Sequence, residues 1–289
     1  KPGFLRDPFH SQKFHQMQVD LESFVRSEWL FDAAHHERTL ERLILAALWG
    51  NRADLSHMDI DLSSPALDLA GGAHLEMLIN DLEQVQTFFS TQKSMIVYFA
   101  DNVGRELFSD LALIDFLLST HLVENLTLLV KPTPLFVSDA MKKDVNLALQ
   151  LLQQQDCPSL TDFVRRIQHS IAEGRLVVSE GPLLCGYEMF DEMPLDFYRS
   201  FVQSDLAIVK GDANYRRVIG DRHWDFTHPL AEIVDYFPTP LLLLRTLKSE
   251  LIVDLTQDQV DSLNRKYENW LVKGFCGVGQ CLRGLGKFP

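Results

Sequence analysis

Asp101 and Asn102 close a run of apolar residues at positions 95–100 (MIVYFA), and Asp139 follows Phe136-Val137-Ser138 after a second run at 126–131 (LTLLVK). Two carboxylates and one amide offer only oxygen donors when the amide presents its carbonyl. Hard oxygens of this kind suit Mg2+ or Mn2+. Three protein ligands leave about three of six octahedral positions for water and substrate oxygens, as a hydrolytic metal centre requires. Asp-Asn-Val-Gly ahead of a helix is also an ordinary turn and cap. The metal reading gains from two more apolar runs with polar ends. Leu206–Lys210 (LAIVK) leads into Gly211-Asp212-Ala213-Asn214-Tyr215-Arg216, and residues 241–245 (LLLLR) into Thr246-Leu247-Lys248. Leaving a polar group buried without a partner costs roughly 2–7 kcal/mol, and a charge more, so something must satisfy these ends.

The second pair of ends has the groups a phosphate ester needs. Gly211 permits close backbone approach. Asp212 can hold sugar hydroxyls or help move a proton. Arg216 can fork onto a phosphate, and Arg245 and Lys248 add cations beside the Thr246 hydroxyl. Glu106, four residues after Asn102, can position water or the ligand shell. Each group has an ordinary alternative: a solvated charged loop for 210–216, a snorkelling pair for Arg245 and Lys248.

The elements that must position these residues can be read from hydrophobic period. Residues 1–92 read as helical: Leu40, Leu43, Ile44, Ala47 and Leu48 mark one helix face, and Leu75, Leu78, Ile79, Leu82, Val85 and Phe89 another. Ser64-Pro65 suits a helix start, and Trp49-Gly50-Asn51 a stop. From Ser94 the texture changes to apolar runs alternating with helical stretches, at 103–118, 139–153 and 159–172, with a further strand at 176–179 (LVVS). The runs are apolar throughout rather than alternating, as in strands covered on both faces, so residues 93–289 are expected to form a parallel sheet between helices. In such sheets ligands sit beyond the carboxyl ends of the strands, where the polar clusters fall.

The totals narrow the partners. Lys and Arg number 27 against 40 Asp and Glu, a net charge of −13, which disfavours nucleic acid and anionic membrane. A phosphate site must then carry its own local cations. Cys157, Cys185, Cys276 and Cys281 form no C-x-x-C pair and read as free thiols of a reducing compartment. No apolar run approaches the ~20 residues that span a bilayer, and no signal peptide is expected. His35-His36, placed on a helix, would not share a face. His223 and His228 flank a loop. Gly277-Val278-Gly279 echoes a dinucleotide turn without the βαβ unit that would support it.

Taken together, five ordered stretches resemble the DUF89 family of damage-control, metal-dependent phosphatases, in the branch of the acidic-residue methyltransferase 1-like proteins. They are 49–55 (WGNRADL), 101–108 (DNVGRELF), 136–139 (FVSD), 210–217 with Gly220-Asp221-Arg222 and Trp224, and Arg245-Thr246-Leu247-Lys248, the R-T-x-K signature of that branch. The likeness runs from about residue 27 to 280. It implies a helical N-terminal part followed by a three-layer α/β/α domain with a mostly parallel, Rossmann-like sheet. It also implies metal ligands at Asp101, Asn102 and Asp139, and substrate contacts at Asp212, Ala213, Asn214, Tyr215, Arg216 and Lys248. Ala213 stands where the family often has a bulkier residue. The implied activity is hydrolysis of fructose 1-phosphate, fructose 6-phosphate and related esters with Mn2+ or Mg2+, or with Ni2+ or Co2+. Water rather than Asp101 is the expected nucleophile. The expectation is thus a monomeric cytoplasmic or nuclear enzyme acting on a small phosphorylated metabolite. The rival is an S-adenosylmethionine-dependent protein-glutamate methyltransferase.

Overall fold

The computed structural model describes residues 7–36, 38–50, 66–68, 74–91, 94–181, 184–186, 188–199 and 202–282. The strands are β1 (Ala66–Asp68), β2 (His74–Asn80), β3 (Ser94–Phe99), β4 (Val123–Val130), β5 (Leu176–Glu180), β6 (Leu206–Lys210), β7 (Leu241–Thr246) and β8 (Cys276–Leu282). The helices are α1 (His10–Arg26), α2 (Leu40–Trp49), α3 (Leu82–Thr91), α4 (Arg105–Ser119), α5 (Lys142–Gln153), α6 (Pro158–Ala172), α7 (Leu195–Arg199), α8 (Asp212–Val218), α9 (Leu230–Ile233) and α10 (Gln257–Lys266). Among the described residues the strands form one sheet in the order β1-β2-β8-β7-β6-β3-β4-β5. Five of its seven pairings are parallel; β1 with β2 and β7 with β8 are antiparallel.

The unbroken apolar runs follow from burial on both faces. Ile96 and Tyr98 of β3, Leu206 and Ile208 of β6, and Leu242 and Leu244 of β7 join one core with α1, α2, α4, α5 and α6. The alternate residues Val97, Phe99, Ala207, Val209, Leu241 and Leu243 join a second core on the other face, with Tyr215 of α8 and the aromatic residues Phe190 and Phe197. The helices therefore cover both faces, which is the three-layer α/β/α arrangement.

The N-terminal helices are tied to the layer that carries the candidate site. Asp20 of α1 accepts the backbone N–H of Arg105 (2.9 Å) at the start of α4, and the Arg105 guanidinium bonds Ser23 and Ser27. Buried Asp115 of α4 holds both Arg38 and Arg166 (2.8 Å each). Among the described residues no helix is long and apolar enough to cross a membrane.

Two expectations need correction. The helix drawn through Leu75, Leu78, Ile79 and Leu82 is instead β2 followed by α3. Leu75 and Met77 enter one core and Leu78 another, the period of a strand. Asn80 then accepts the Leu82 N–H (3.3 Å), and the Asp81 carboxylate takes the Cys281 N–H (2.9 Å), so the chain turns between the two elements. Gly277-Val278-Gly279, which lacked the βαβ unit of a dinucleotide turn, lies in β8. A Cβ at Gly277 would stand 2.5 Å from the Trp49 ring, so the glycine admits that side chain against the strand. His35 and His36 lie in the turn before α2, not on a helix. Residues 51–55 and Ser64-Pro65 fall outside the described residues. All four cysteines are free thiols.

Candidate active site

β3 and β6 are neighbours in the sheet, yet the chain leaves them in opposite directions. After β3 it runs through α4 to β4, and after β6 through α8 to β7. Their carboxyl ends thus frame the switch-point crevice where open α/β sheets bind ligands. Asp101 and Asn102 stand at the end of β3. Gly211, with φ of 89°, stands at the end of β6. A Cβ at Gly211 would lie 1.9 Å from Asp101 Oδ2, so only glycine lets that carboxylate rest against β6. Gly211→Ala is expected to cost about 1–3 kcal/mol for the positive φ alone and to push Asp101 out of place. Thermal denaturation and divalent-ion titration check this, and a variant with unchanged ion affinity would contradict it.

A short backbone ladder brings Asp139 to the same point. Val103 N–H donates to Ser138 O (2.7 Å) and Ala140 N–H to Asp101 O (2.8 Å), pairing Asn102 with Asp139. One Asp139 oxygen accepts the N–H groups of Leu135 and Phe136 (2.7 Å each), which folds the loop back. The other faces Lys131 Nζ at 2.5 Å, and the same ammonium lies 3.2 Å from Asp101 Oδ1. Asn102 donates from Nδ2 to Asp101 Oδ2 (2.7 Å) and Glu106 Oε2 (3.0 Å), while its Oδ1 accepts the Ser138 hydroxyl (2.6 Å). Glu106 Oε1 pairs with Lys210 (3.1 Å), which also reaches Asp110 (3.3 Å), and Tyr98 donates to Asp110 (2.7 Å). A continuous buried polar chain therefore runs from Tyr98 to Asp139.

This chain carries surplus negative charge. Asp101, Glu106, Asp110 and Asp139 give four carboxylates against the two ammoniums of Lys131 and Lys210, a formal −2. Burial pushes the Asp101 carboxyl up to about 6 against the pull of Lys131, with Glu106 and Asp139 adding repulsion. Asp110 is likewise held up to about 7 by burial, opposed by Lys210. Burial pulls the Lys131 ammonium down, but Asp101 and Asp139 outweigh it and the net shift is upward. Among the described residues no three His, Cys, Asp or Glu side chains converge as a ready cation cage. The fit is to a two-carboxylate, one-amide set with most coordination positions open, which suits Mg2+ or Mn2+. Turning the Asn102 amide over would aim its oxygen at the carboxylates, and the Ser138 hydroxyl, both donor and acceptor, can follow. A charge of +2 would balance the cluster. The residues present thus fit a divalent ion.

The remaining candidates divide into two groups. Glu106, Asp212 and Lys248 line, with Asp101 and Asn102, a cleft of about 10 Å3, room for one ion or water. Lys248 is exposed, and among the described residues its ammonium has no ion-pair partner. Asp212 Oδ1 accepts the Lys248 backbone N–H (3.0 Å), Arg245 Nε (2.9 Å) and the Ser249 hydroxyl (3.1 Å), so it shapes the R-T-x-K segment. Ala213, Asn214 and Arg216 line an adjoining cavity of about 210 Å3 with Lys131, Phe136 and Met189. Asn214 ties the two strand ends together, donating to Ala100 O (3.2 Å) and Lys210 O (2.8 Å).

Two expected substrate contacts lie elsewhere. Arg245 is fully buried, stacked 4.1 Å over the Tyr215 ring, with its nitrogens on Asp212, Ser249 and Leu251 O. Tyr215 is its buried platform, and its hydroxyl accepts the Val253 N–H (3.3 Å). Both shape the loop rather than face the cleft, because a buried guanidinium must use its donors internally. Arg216 forks onto Asp221 (2.6 and 2.8 Å) at the cavity rim, where a phosphate would compete with that carboxylate. Sequence reading missed Lys131, Ser138, Tyr98 and Asp110. The available signal for Lys131 was a lysine closing the largely apolar run at 126–131.

Known proteins agree with this architecture. A family model described as the damage-control phosphatase ARMT1-like domain matches residues 5–263. Damage-control phosphatase ARMT1 of Xenopus laevis is 31% identical over 260 residues, covering 84% of this chain and 59% of that protein. The Bos taurus protein of the same name is 30% identical over 266 residues, covering 83% and 58%. The chain thus spans a little under three-fifths of the length of these curated relatives. The crystal structure of a DUF89 family protein from Pyrococcus horikoshii superposes with a TM-score of 0.50 at 16% identity, covering 95% of this chain and 75% of that one, and shows the shared fold. On the match over residues 5–263 and these identities, the chain belongs to the damage-control phosphatase ARMT1-like domain family.

Proposed function

We propose that this chain is the catalytic part of a divalent-metal-dependent phosphatase acting on small phosphorylated metabolites, with sugar phosphates such as fructose 1-phosphate and fructose 6-phosphate as the substrate class. The observation that carries the reading is the convergence of Asp101 and Asp139 on a single cation position, 3.2 and 2.5 Å from one ammonium, at the switch point of the sheet. The name borne by the relatives supports it.

Asp101, Asn102 and Asp139 would hold the ion, and a divalent ion bound there supplies positive charge to phosphoryl oxygens and lowers the pKa of water. Lys248 brings an exposed ammonium to the cleft that Asp101 and Asn102 line, where it can neutralise charge on the transferring group. Asp212 acts through Lys248, fixing the backbone from which that side chain reaches. Glu106 lines the cleft beside Asp101 and Asn102, and Asn214 keeps the ends of β3 and β6 together. The adjoining cavity takes the substrate, its phosphate toward the Lys131 wall and its alcohol between Phe136 and Met189 on one side and Ala213 and Asn214 on the other.

No observation favours the methyltransferase alternative. An adenosyl cofactor would need a glycine-rich turn after β3, where the chain carries Asp101-Asn102-Val103-Gly104 straight into α4.

Orthophosphate release from a panel of sugar phosphates, with Mn2+ or Mg2+ and after treatment with EDTA, tests the proposal. Release is expected only with metal and should return when Mn2+ is restored. Turnover that survives chelation, or none on any phosphomonoester, would overturn it.

A further inference from the structure

We propose that Lys131 is a displaceable place-holder cation: it fills the gap between Asp101 and Asp139 until a divalent ion takes that position, then turns into the adjoining cavity to hold the substrate's phosphate. The inference rests on the metal reading above and adds a coupling between metal and anion.

Three observations lead there. The Lys131 ammonium lies within 3.2 Å of Asp101 Oδ1 and 2.5 Å of Asp139 Oδ1, so one cation already joins the two carboxylates that would hold the ion. An ammonium and a divalent ion cannot share that gap, because like charges a few ångströms apart repel strongly in a buried setting. Lys131 is itself 2% exposed, yet it forms part of the wall of the 210 Å3 cavity, so a place to turn into lies beside it. Its four-carbon stem and rotatable donors allow the change without moving the backbone, which is anchored by Lys131 N–H on Ala140 O (3.0 Å).

The other cations on that wall are already committed. Arg216 is forked onto Asp221. Arg217 directs its guanidinium to the carbonyls of Leu184 and Glu188. Metal entry would therefore release Lys131 as a fresh positive charge where a phosphate would lie. By linkage, each ligand then raises the affinity of the other by the same factor.

Titration calorimetry with Mn2+ and with orthophosphate, on the parent protein, Lys131→Met and Asp139→Asn, tests this. Lys131→Met should bind Mn2+ alone more tightly, by about fivefold or more, since no ammonium has to leave. The Mn2+-loaded variant should bind orthophosphate about tenfold more weakly than the loaded parent, within the usual range of coupling between sites. Weaker or unchanged Mn2+ binding would mean that Lys131 holds the carboxylates in position instead, and the proposal would fall. Asp139→Asn separates the two claims. If it keeps the parent's Mn2+ affinity, the metal reading itself is wrong. A second measurement needs no variant: amine-selective labelling of the native protein, read by mass spectrometry, should find Lys131 protected without metal, reactive with Mn2+, and protected again once orthophosphate is added. Labelling that ignores Mn2+ would also overturn the proposal.

Discussion

Asp101→Asn is expected to lose metal-dependent phosphate release by about 10³-fold or more, while the metal-free variant unfolds at a temperature no lower than the parent. The loss follows from position. Asp101 stands at the β3 end of the crevice, and its two oxygens face the Lys131 gap and the Asn102–Gly211 side. The absence of a stability cost follows from charge. Burial lifts the Asp101 carboxyl to about 6, above its ordinary 3.8. A group whose folded pKa is raised lends stability below its unfolded pKa and loses it as pH climbs through the folded value. At pH 7 the metal-free protein therefore carries Asp101 at a net cost, and an isosteric amide removes that cost. Lys131 keeps Asp139 as its partner. Adding Mn2+ should raise the unfolding temperature of the parent and leave the variant unmoved. Retained turnover would remove Asp101 from the site. A markedly lower melting point without metal would show that the surplus charge is compensated within the chain.

Strands β3, β6 and β7, and the second half of β4, were legible because burial on both faces writes them as nearly unbroken apolar runs. β2 was not, because Leu75, Leu78 and Ile79 happen to follow helical spacing, and only pairing with β8 decides between the two. β8 was hidden for the opposite reason: Gly277 and Gly279 lower its strand signal, and the space Gly277 leaves is filled by Trp49 from far along the chain. The polar strand ends could be read as a site because buried charges demand partners. Which partner each would find could not. Arg245 and Arg216, both expected to meet phosphate, are held by Asp212 and Asp221 instead. Lys131 looked like the last residue of a strand until the loop, folded by Asp139 onto the N–H groups of Leu135 and Phe136, returned a carboxylate to it.

Lys210→Met is expected to destabilise the protein by about 3–5 kcal/mol, the cost of removing one partner from a buried ion pair. Lys210 is 1% exposed and serves Glu106 (3.1 Å), Asp110 (3.3 Å) and the Ala47 carbonyl (2.5 Å) at once. A methionine of similar volume keeps the packing, so the loss isolates the charge. Its pH dependence distinguishes it from a cavity effect. In the parent, burial holds Asp110 up to about 7 with Lys210 pulling against it. The native state therefore keeps a proton that the unfolded chain has released, and stability declines between about pH 4 and 7 before levelling. Without the ammonium, burial acts on Asp110 unopposed by its strongest attractor, and the native proton is held to higher pH. The variant should then go on losing about 1.4 kcal/mol per pH unit above 7, where the parent is flat. Denaturant titrations at pH 6, 7, 8 and 9 measure that slope, and a deficit constant across the series would mean that Lys210 contributes packing rather than charge.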